Sequence, residues 1–195
     1  MHVDVEALFR VVAIGDARSG KTSFFTRVFT DRFEENYIPT IGRPEIQISP
    51  FRVGNFNVKL NVSDMPGTER FRSSTYHVPL RLAPGIIIFG DATNISSLKN
   101  MELHLVEVDK FCANKNCAIM FIINKIDSPH PEYEAFKQNL AFLAKRSFPL
   151  YEVSVKNSIN IFEPLADLVA SMIWIKQQLD AAKEPPKQCT KNNGK

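Results

Sequence analysis

Eight consecutive residues set the first chemical expectation. Gly15-Asp16-Ala17-Arg18-Ser19-Gly20-Lys21-Thr22 matches G-x-x-x-x-G-K-[ST], between an apolar run, Val11-Val12-Ala13-Ile14, and a helical pattern. Gly15 and Gly20 let the backbone curl so that successive N–H groups converge on one point, as a bound phosphate requires. Lys21 brings a point charge to the outer oxygens of such an anion, and the Thr22 hydroxyl is placed for Mg²⁺. The helix that follows aims the positive end of its dipole at the same spot. The stretch predicts binding of a nucleoside triphosphate and leaves the base open.

A second group addresses the base. Asn124-Lys125-Ile126-Asp127 directly follows the apolar run Ala118-Ile119-Met120-Phe121-Ile122-Ile123. An Asp carboxylate accepts two parallel hydrogen bonds from the N1–H and 2-amino group of guanine, and adenine offers no such pair of donors. The Asn and the Lys stem would hold the loop and cover the base. Ser154-Val155-Lys156, after a later strand, would complete the pocket through backbone N–H groups and the Lys stem. An isolated N-K-x-D is a weak signal; behind a strand and well beyond a phosphate loop, it is a strong one.

These groups need a scaffold, and the apolar patterning predicts one. Val11–Ile14, Gly85–Phe89 and Ala118–Ile123 are unbroken apolar runs, hence strands covered on both faces. Ile46–Ile48 and Val58–Val62 alternate with period two around Gly54-Asn55, which predicts a hairpin, and Leu150–Val153 is a sixth strand. Helical spacing appears over 21–29 (Phe24, Phe25, Val28), 95–111 (Leu98, Met101, Leu105, Val108) and 131–145 (Phe136, Leu140, Leu143). In the third, Pro131 suits a first turn. The last helix, 161–180, carries a core stripe of Leu165, Leu168, Met172, Ile175 and Leu179. The expected fold class is α/β: a doubly wound, mostly parallel six-stranded sheet with helices on both faces and ligands beyond the carboxyl ends of the strands.

Composition excludes several other classes. The 195 residues suit one domain, and 44% hydrophobic with 23% charged residues is an ordinary globular balance. A net charge of +3 makes no case for nucleic acid. Three cysteines, Cys112, Cys117 and Cys189, make no disulfide framework and fit a reduced cytoplasmic setting. No run approaches the ~20 apolar residues of a membrane span, and the N-terminus does not read as a secretory signal. The histidines have no metal-gathering spacing with the cysteines. For His77, a partner role and ordinary packing both stay open.

The order and spacing of the motifs resemble the Ras superfamily of small GTPases, and most of all its Rab branch, over roughly residues 8–180. The matching stretches are GDARSGKT, Tyr37-Ile38-Pro39-Thr40-Ile41-Gly42, Asp64-Met65-Pro66-Gly67, NKID, SVK, the run Glu69-Arg70-Phe71-Arg72-Ser73, and the strand Gly85–Ile88. The resemblance implies a switch that binds GTP or GDP with Mg²⁺, in a domain over 8–180 flanked by an extension (1–7) and a flexible tail (181–195). It implies nucleotide contacts from Gly15, Asp16, Ala17, Arg18, Ser19, Gly20, Lys21, Thr22, Ser23, Phe33, Tyr37, Thr40, Asp64, Gly67, Asn124, Lys125, Asp127, Ser154, Val155 and Lys156. Among these, Phe33 resembles the aromatic that packs edge-on against guanine. Metal ligation falls to Thr22, Thr40 and, through water, Asp64; catalysis to Lys21, Thr40, Gly67 and Thr68. The loops 30–42 and 64–80, with Tyr37, Phe71 and Tyr76, would present an effector, exchange-factor and activating-protein surface that depends on the γ-phosphate.

Departures from the family pattern shape the expected activity. Thr68 stands where the family usually has a glutamine that orients the attacking water, Pro66 replaces an alanine, and Ala17 adds a methyl group close to where an activating arginine would enter. Slow hydrolysis follows. The alternative is a hydrolysis-deficient, GTP-bound interaction module; a P-loop kinase is a distant third, having no use for N-K-x-D. Arg43-Pro44-Glu45 is not the usual Rab continuation, and Cys189 lies six residues before Lys195, so there is no C-a-a-X ending. Membranes would be reached through a partner or an unseen lipid, giving a cytoplasmic protein that visits the cytosolic face of endomembranes.

Overall fold

Three unbroken apolar runs become the middle of a six-stranded sheet: β1 (Ala7–Gly15), β4 (Gly85–Asp91) and β5 (Ala118–Asn124). The computed structural model describes residues 7–36, 45–67, 77–112, 116–138, 140, 143 and 146–183. With β2 (Glu45–Val53), β3 (Phe56–Asp64) and β6 (Leu150–Glu152), the strand order is β2-β3-β1-β4-β5-β6. All neighbours are parallel except the hairpin β2–β3. Its two-residue loop, Gly54-Asn55, has φ +57° at Gly54, a value glycine adopts without strain. β2 is an edge strand, and its register shifts between Ile48 and Phe51, where Pro50 lacks the N–H a ladder needs.

Strand alternation explains why these runs carry no polar break. Val11, Ala13, Ile87, Phe89, Met120 and Ile122 point to one face, where they meet Phe24, Phe25 and Val28 of α1 (Lys21–Thr30) and Leu165, Leu168 and Met172 of α5 (Phe162–Lys183). Val12, Ile14, Ile86, Ile88, Phe121 and Ile123 point to the other, under Leu80 of α2 (His77–Leu82) and Leu98, Met101, Leu105 and Val108 of α3 (Ile95–Cys112). Each such side chain contributes about 1.5–3 kcal/mol on burial, so a polar residue on either face of these strands would be costly.

Two expectations are corrected. The periodicity over 131–145 predicts one unbroken helix, whereas α4 is Tyr133–Lys137, with Pro131 ahead of its N-cap Glu132, and the helix is interrupted at Gln138 and Leu140 before Leu143 and Arg146 are again α-helical. At the interruption the Leu140 N–H donates to the Lys137 carbonyl and the Leu143 N–H to the Leu140 carbonyl, each across three residues. Leu140 and Leu143 are buried all the same, because spacings of three and four keep one side toward the core through a break in the helix. The second correction concerns the far end of the α5 stripe, where Ile175 is half-buried and Leu179 is 40% exposed. The 22-residue helix runs about 33 Å, longer than the ~23 Å of the seven-residue strand β5 beneath it, so its last turns outrun the sheet.

Candidate functional site

The turn from β1 into α1 wraps around Lys21. That side chain is buried, and its ammonium donates to the carbonyls of Gly15 (2.9 Å) and Asp16 (2.8 Å) and contacts Ser19 Oγ at 3.4 Å. Ser19 Oγ also donates to the Asp16 carbonyl at 2.9 Å. Gly20, at φ +89°, is the N-cap of α1 and has no side chain with which to cap it, so the helix directs its first N–H groups and its dipole into the loop. Arg18, at φ +66°, is exposed on the same turn.

Asn124 ties this turn to the base loop. It lies at the end of β5, buried, and its Nδ2 donates to the Ser19 carbonyl at 3.1 Å. Its Oδ1 accepts from the N–H groups of Lys125 (2.8 Å) and Val155 (3.1 Å). A single amide thus joins the phosphate loop, the N-K-x-D loop and the loop after β6. A Cβ on Gly20 would stand 2.1 Å from Asn124 Nδ2, so only glycine permits this approach. Asp127 is oriented by Ser154 Oγ, which donates to its Oδ1 at 2.5 Å and accepts from the Asn157 N–H at 3.1 Å. Lys125, at φ +67°, stretches to Asp91 Oδ2 at 2.5 Å.

The C-terminal end of β3 supplies the third component. Asp64 is fully buried; the Thr22 hydroxyl donates to its Oδ2, while its Oδ1 has no hydrogen-bond partner among the described residues. Burial pushes the Asp64 carboxyl above its ordinary value, against the opposing pull of the Thr22 hydroxyl and the Lys21 charge. An unmatched buried carboxylate oxygen beside a hydroxyl fits a small hard cation such as Mg²⁺, for which Thr22 and Asp64 are the right oxygen donors. Further on, the Gly67 carbonyl accepts from the Ala17 N–H at 3.0 Å, and a Cβ on Gly67 would meet that nitrogen at 2.3 Å.

Together these pieces enclose a cleft of about 550 Å³, within the usual range for a small-molecule site. Ala17, Arg18, Gly20, Lys21, Thr22, Ser23, Phe33, Gly67, Asn124, Lys125, Asp127, Val155 and Lys156 line it. Gly15, Asp16, Ser19, Asp64 and Ser154 stand behind that lining and hold it through the bonds given above. Phe33 is half-buried and packs against the core on the α1 side, and Lys156 pairs with Glu35 at 2.8 Å. The Val155 N–H, expected to face the base, is bonded to Asn124. Tyr37, Ile38, Thr40, Thr68, Phe71, Tyr76 and Cys189 lie outside the described residues. Four residues that motif reading passed over prove to support the site: Asp91 on Lys125, Glu35 on Lys156, and Asn100 and His104 on Asp16. The only sequence signals were an acid ending an apolar strand and a histidine on the apolar stripe of α3.

Comparison with known proteins agrees with this geometry. The sequence model of the Ras family matches residues 10–173. The maize (Zea mays) GTP-binding protein YPTM1 is 33% identical over 186 residues, covering 94% of this chain and 87% of the relative. Ras-related protein Rab-1A of Dictyostelium discoideum is 31% identical, with 98% and 92% covered, and Ras-related protein RABD2c of Arabidopsis thaliana is 30% identical, with 88% and 84% covered. Sheet order, phosphate loop and base loop stand together in one chain over the whole matched length, and the chain belongs to the Ras family as a Rab-like small GTPase.

Proposed function

We propose that the cleft binds GTP and GDP with Mg²⁺ and that the protein is a guanine-nucleotide switch of the Rab type. The observation that carries this reading is the Asn124 side chain, which locks a phosphate-binding turn to the loop bearing Asp127, so that one ligand with a polyphosphate and a guanine spans both. In this reading backbone N–H groups of Arg18 and of residues 20–22, with the Lys21 ammonium, hold the phosphates. Thr22, with Thr40 and, through water, Asp64, would hold the metal, which when bound would supply positive charge against that of the phosphates. Asp127 selects the base, oriented by Ser154, while Phe33, Lys125 and Lys156 flank it. Thr40 and Gly67 report the γ-phosphate, and with it the loops 30–42 and 64–80 present or withdraw a surface for effectors, exchange factors and activating proteins.

Hydrolysis is slow in this reading. The γ-phosphate is attacked by water that must be oriented and partly deprotonated, and Thr68 is too short to both donate and accept where the family's glutamine does. Thr68 equally favours a second reading, a hydrolysis-deficient module that acts while GTP stays bound. The trafficking role and a cytosolic, endomembrane-associated location are proposed from the Rab likeness.

Two measurements test this. Calorimetry in Mg²⁺ should show GDP and a non-hydrolysable GTP analogue binding far more tightly than their adenine counterparts; preference for ATP overturns the proposal. Single-turnover assay with purified protein should show slow release of phosphate. Turnover at the rate of a glutamine-bearing Rab refutes the argument from Thr68, and none at all establishes the second reading.

A further inference from the structure

The phosphate loop has a tether that the nucleotide chemistry does not require. Asp16 sits in the variable part of the motif, yet its carboxylate is held from the far side by α3. Asn100 Nδ2 donates to Asp16 Oδ2 at 2.7 Å, and His104 Nε2 lies 3.1 Å from Asp16 Oδ1. Asn100 and His104 are one helical turn apart, so both reach the same point. The imidazole is fully buried on the face of α3 that packs under the sheet, among the positions of Met101, Leu105 and Val108. With Asp16 ionised, the Nε2 of His104 must carry the proton, which makes the contact a charge-assisted hydrogen bond.

The backbone of the same residue shows what this tether controls. The Asp16 carbonyl accepts from the Lys21 ammonium at 2.8 Å and from Ser19 Oγ at 2.9 Å, and the next residue, Ala17, donates its N–H to the Gly67 carbonyl at 3.0 Å. The orientation of the Asp16 peptide therefore sets where the phosphate-binding ammonium sits and how the loop meets Gly67. We propose that Asn100 and His104 are positioning residues for the nucleotide site: by clamping the Asp16 carboxylate they fix the phosphate loop in its binding shape and slow nucleotide release. The inference rests on the cleft being a guanine-nucleotide site and assigns part of the control of that site to α3.

The experiment uses the full chain loaded with a fluorescent GDP analogue in Mg²⁺ and follows its displacement by excess GDP. His104→Phe keeps the ring and its burial but removes the donor; release should accelerate on the order of tenfold or more, as loss of a hydrogen bond to a charged group implies. His104→Asn, whose amide reaches only the Nδ1 position, should release as fast. His104→Gln, whose amide nitrogen reaches the Nε2 position, should restore release to within about threefold of wild type. Asp16→Ala should release at least as fast as His104→Phe, and combining the two should add little, because both break one contact. Thermal melts of the GDP-loaded variants establish folding. Should His104→Phe fail to fold, Asn100→Ala, at a half-buried position, removes the 2.7 Å bond and should accelerate release by several-fold. Release at the wild-type rate from His104→Phe or Asn100→Ala, equal rates from the Phe and Gln variants, or multiplicative effects with Asp16→Ala would each overturn the clamp. Failure of the wild type to take up guanine nucleotide would instead overturn the functional reading, and the inference with it.

Discussion

Replacing Gly20 by alanine should damage the site through one identifiable neighbour, and the size of the effect follows from the structure. Two costs arise. At φ +89° a Cβ is strained, on the order of 1–2 kcal/mol. The same Cβ would lie 2.1 Å from Asn124 Nδ2, a distance no real contact tolerates, so the amide must swing away and lose its bond to the Ser19 carbonyl, about another 1 kcal/mol. Because Asn124 also holds the Lys125 and Val155 N–H groups, part of those bonds is weakened too. The total is about 3 kcal/mol, or roughly 6–12 °C in Tm for a chain of this size.

A double-mutant cycle separates strain from displacement. Asn124→Ala alone removes three hydrogen bonds from a buried position and should cost about 2–3 kcal/mol. Once the amide is gone, Gly20→Ala retains only its backbone strain, so the double variant should be more stable than additivity predicts by more than about 1 kcal/mol. Denaturant unfolding of wild type, both single variants and the double variant gives the four free energies. Strict additivity would refute the reasoning, since it would mean that the alanine is accommodated without disturbing Asn124.

Other expectations can be checked on the same preparations. Asp64→Asn removes a buried carboxylate whose ionisation burial disfavours, so it should raise Tm in EDTA while abolishing the further rise that Mg²⁺ and GDP give the wild type; a retained Mg²⁺ response would remove Asp64 from the metal site. Glu152 is partly desolvated, which alone would raise its pKa, but the bonds from Lys137 (2.6 Å) and Tyr133 (2.5 Å) outweigh this and hold it below the ordinary 4.5. A depressed folded-state pKa gives stability that is present above the unfolded value and lost as pH falls through the folded one. The Tm difference between wild type and Glu152→Gln should therefore be full at neutral pH and shrink below about pH 4.5; a gap constant down to pH 3 would contradict it. The Lys156–Glu35 pair is exposed on both sides, so Glu35→Gln should change nucleotide release by less than about threefold, and a large effect would show that the pair does more than a surface ion pair does.

The parts of this site that were legible from sequence are those whose atoms lie close along the chain. The loop from Gly15 to Thr22 carries its phosphate-facing groups on nearly consecutive residues, and Asn124 to Asp127 share one strand end, so short motifs suffice to find them. The hydrophobic runs placed β1, β4 and β5 for the same reason: a strand covered on both faces can contain nothing else. What was not legible depends on side chains meeting across long separations. Asp16 and His104 are 88 positions apart, and Lys125 and Asp91 are 34 apart; nothing local in either residue names its partner. The segment after Tyr133 failed differently. Spacings of three and four report which side faces the core, and they do not distinguish one continuous α-helix from a helix interrupted by a turn, as at Gln138 and Leu140. α2 escaped notice because six residues containing Pro79 carry too short a period to read.

The arrangement of ties on the phosphate loop has a consequence for how release can be controlled. Asp16 is held by α3, the Ala17 N–H by Gly67, and the Ser19 carbonyl by Asn124. These are three nearly successive residues of one tight turn, pulled from three separate parts of the fold. A turn this short cannot relax at one residue while its neighbours stay put, because its dihedrals are few and its surroundings close-packed. Loosening any single tie must therefore disturb the others. An exchange factor that shifted only the segment carrying Gly67 would be felt at Asn124 and so at the base, and a partner that shifted α3 would be felt at Lys21 and so at the phosphates. With the cleft read as a guanine-nucleotide site, the loop's stiffness would couple the two halves of the ligand, so neither a base-side nor a phosphate-side perturbation should act on half of the nucleotide alone.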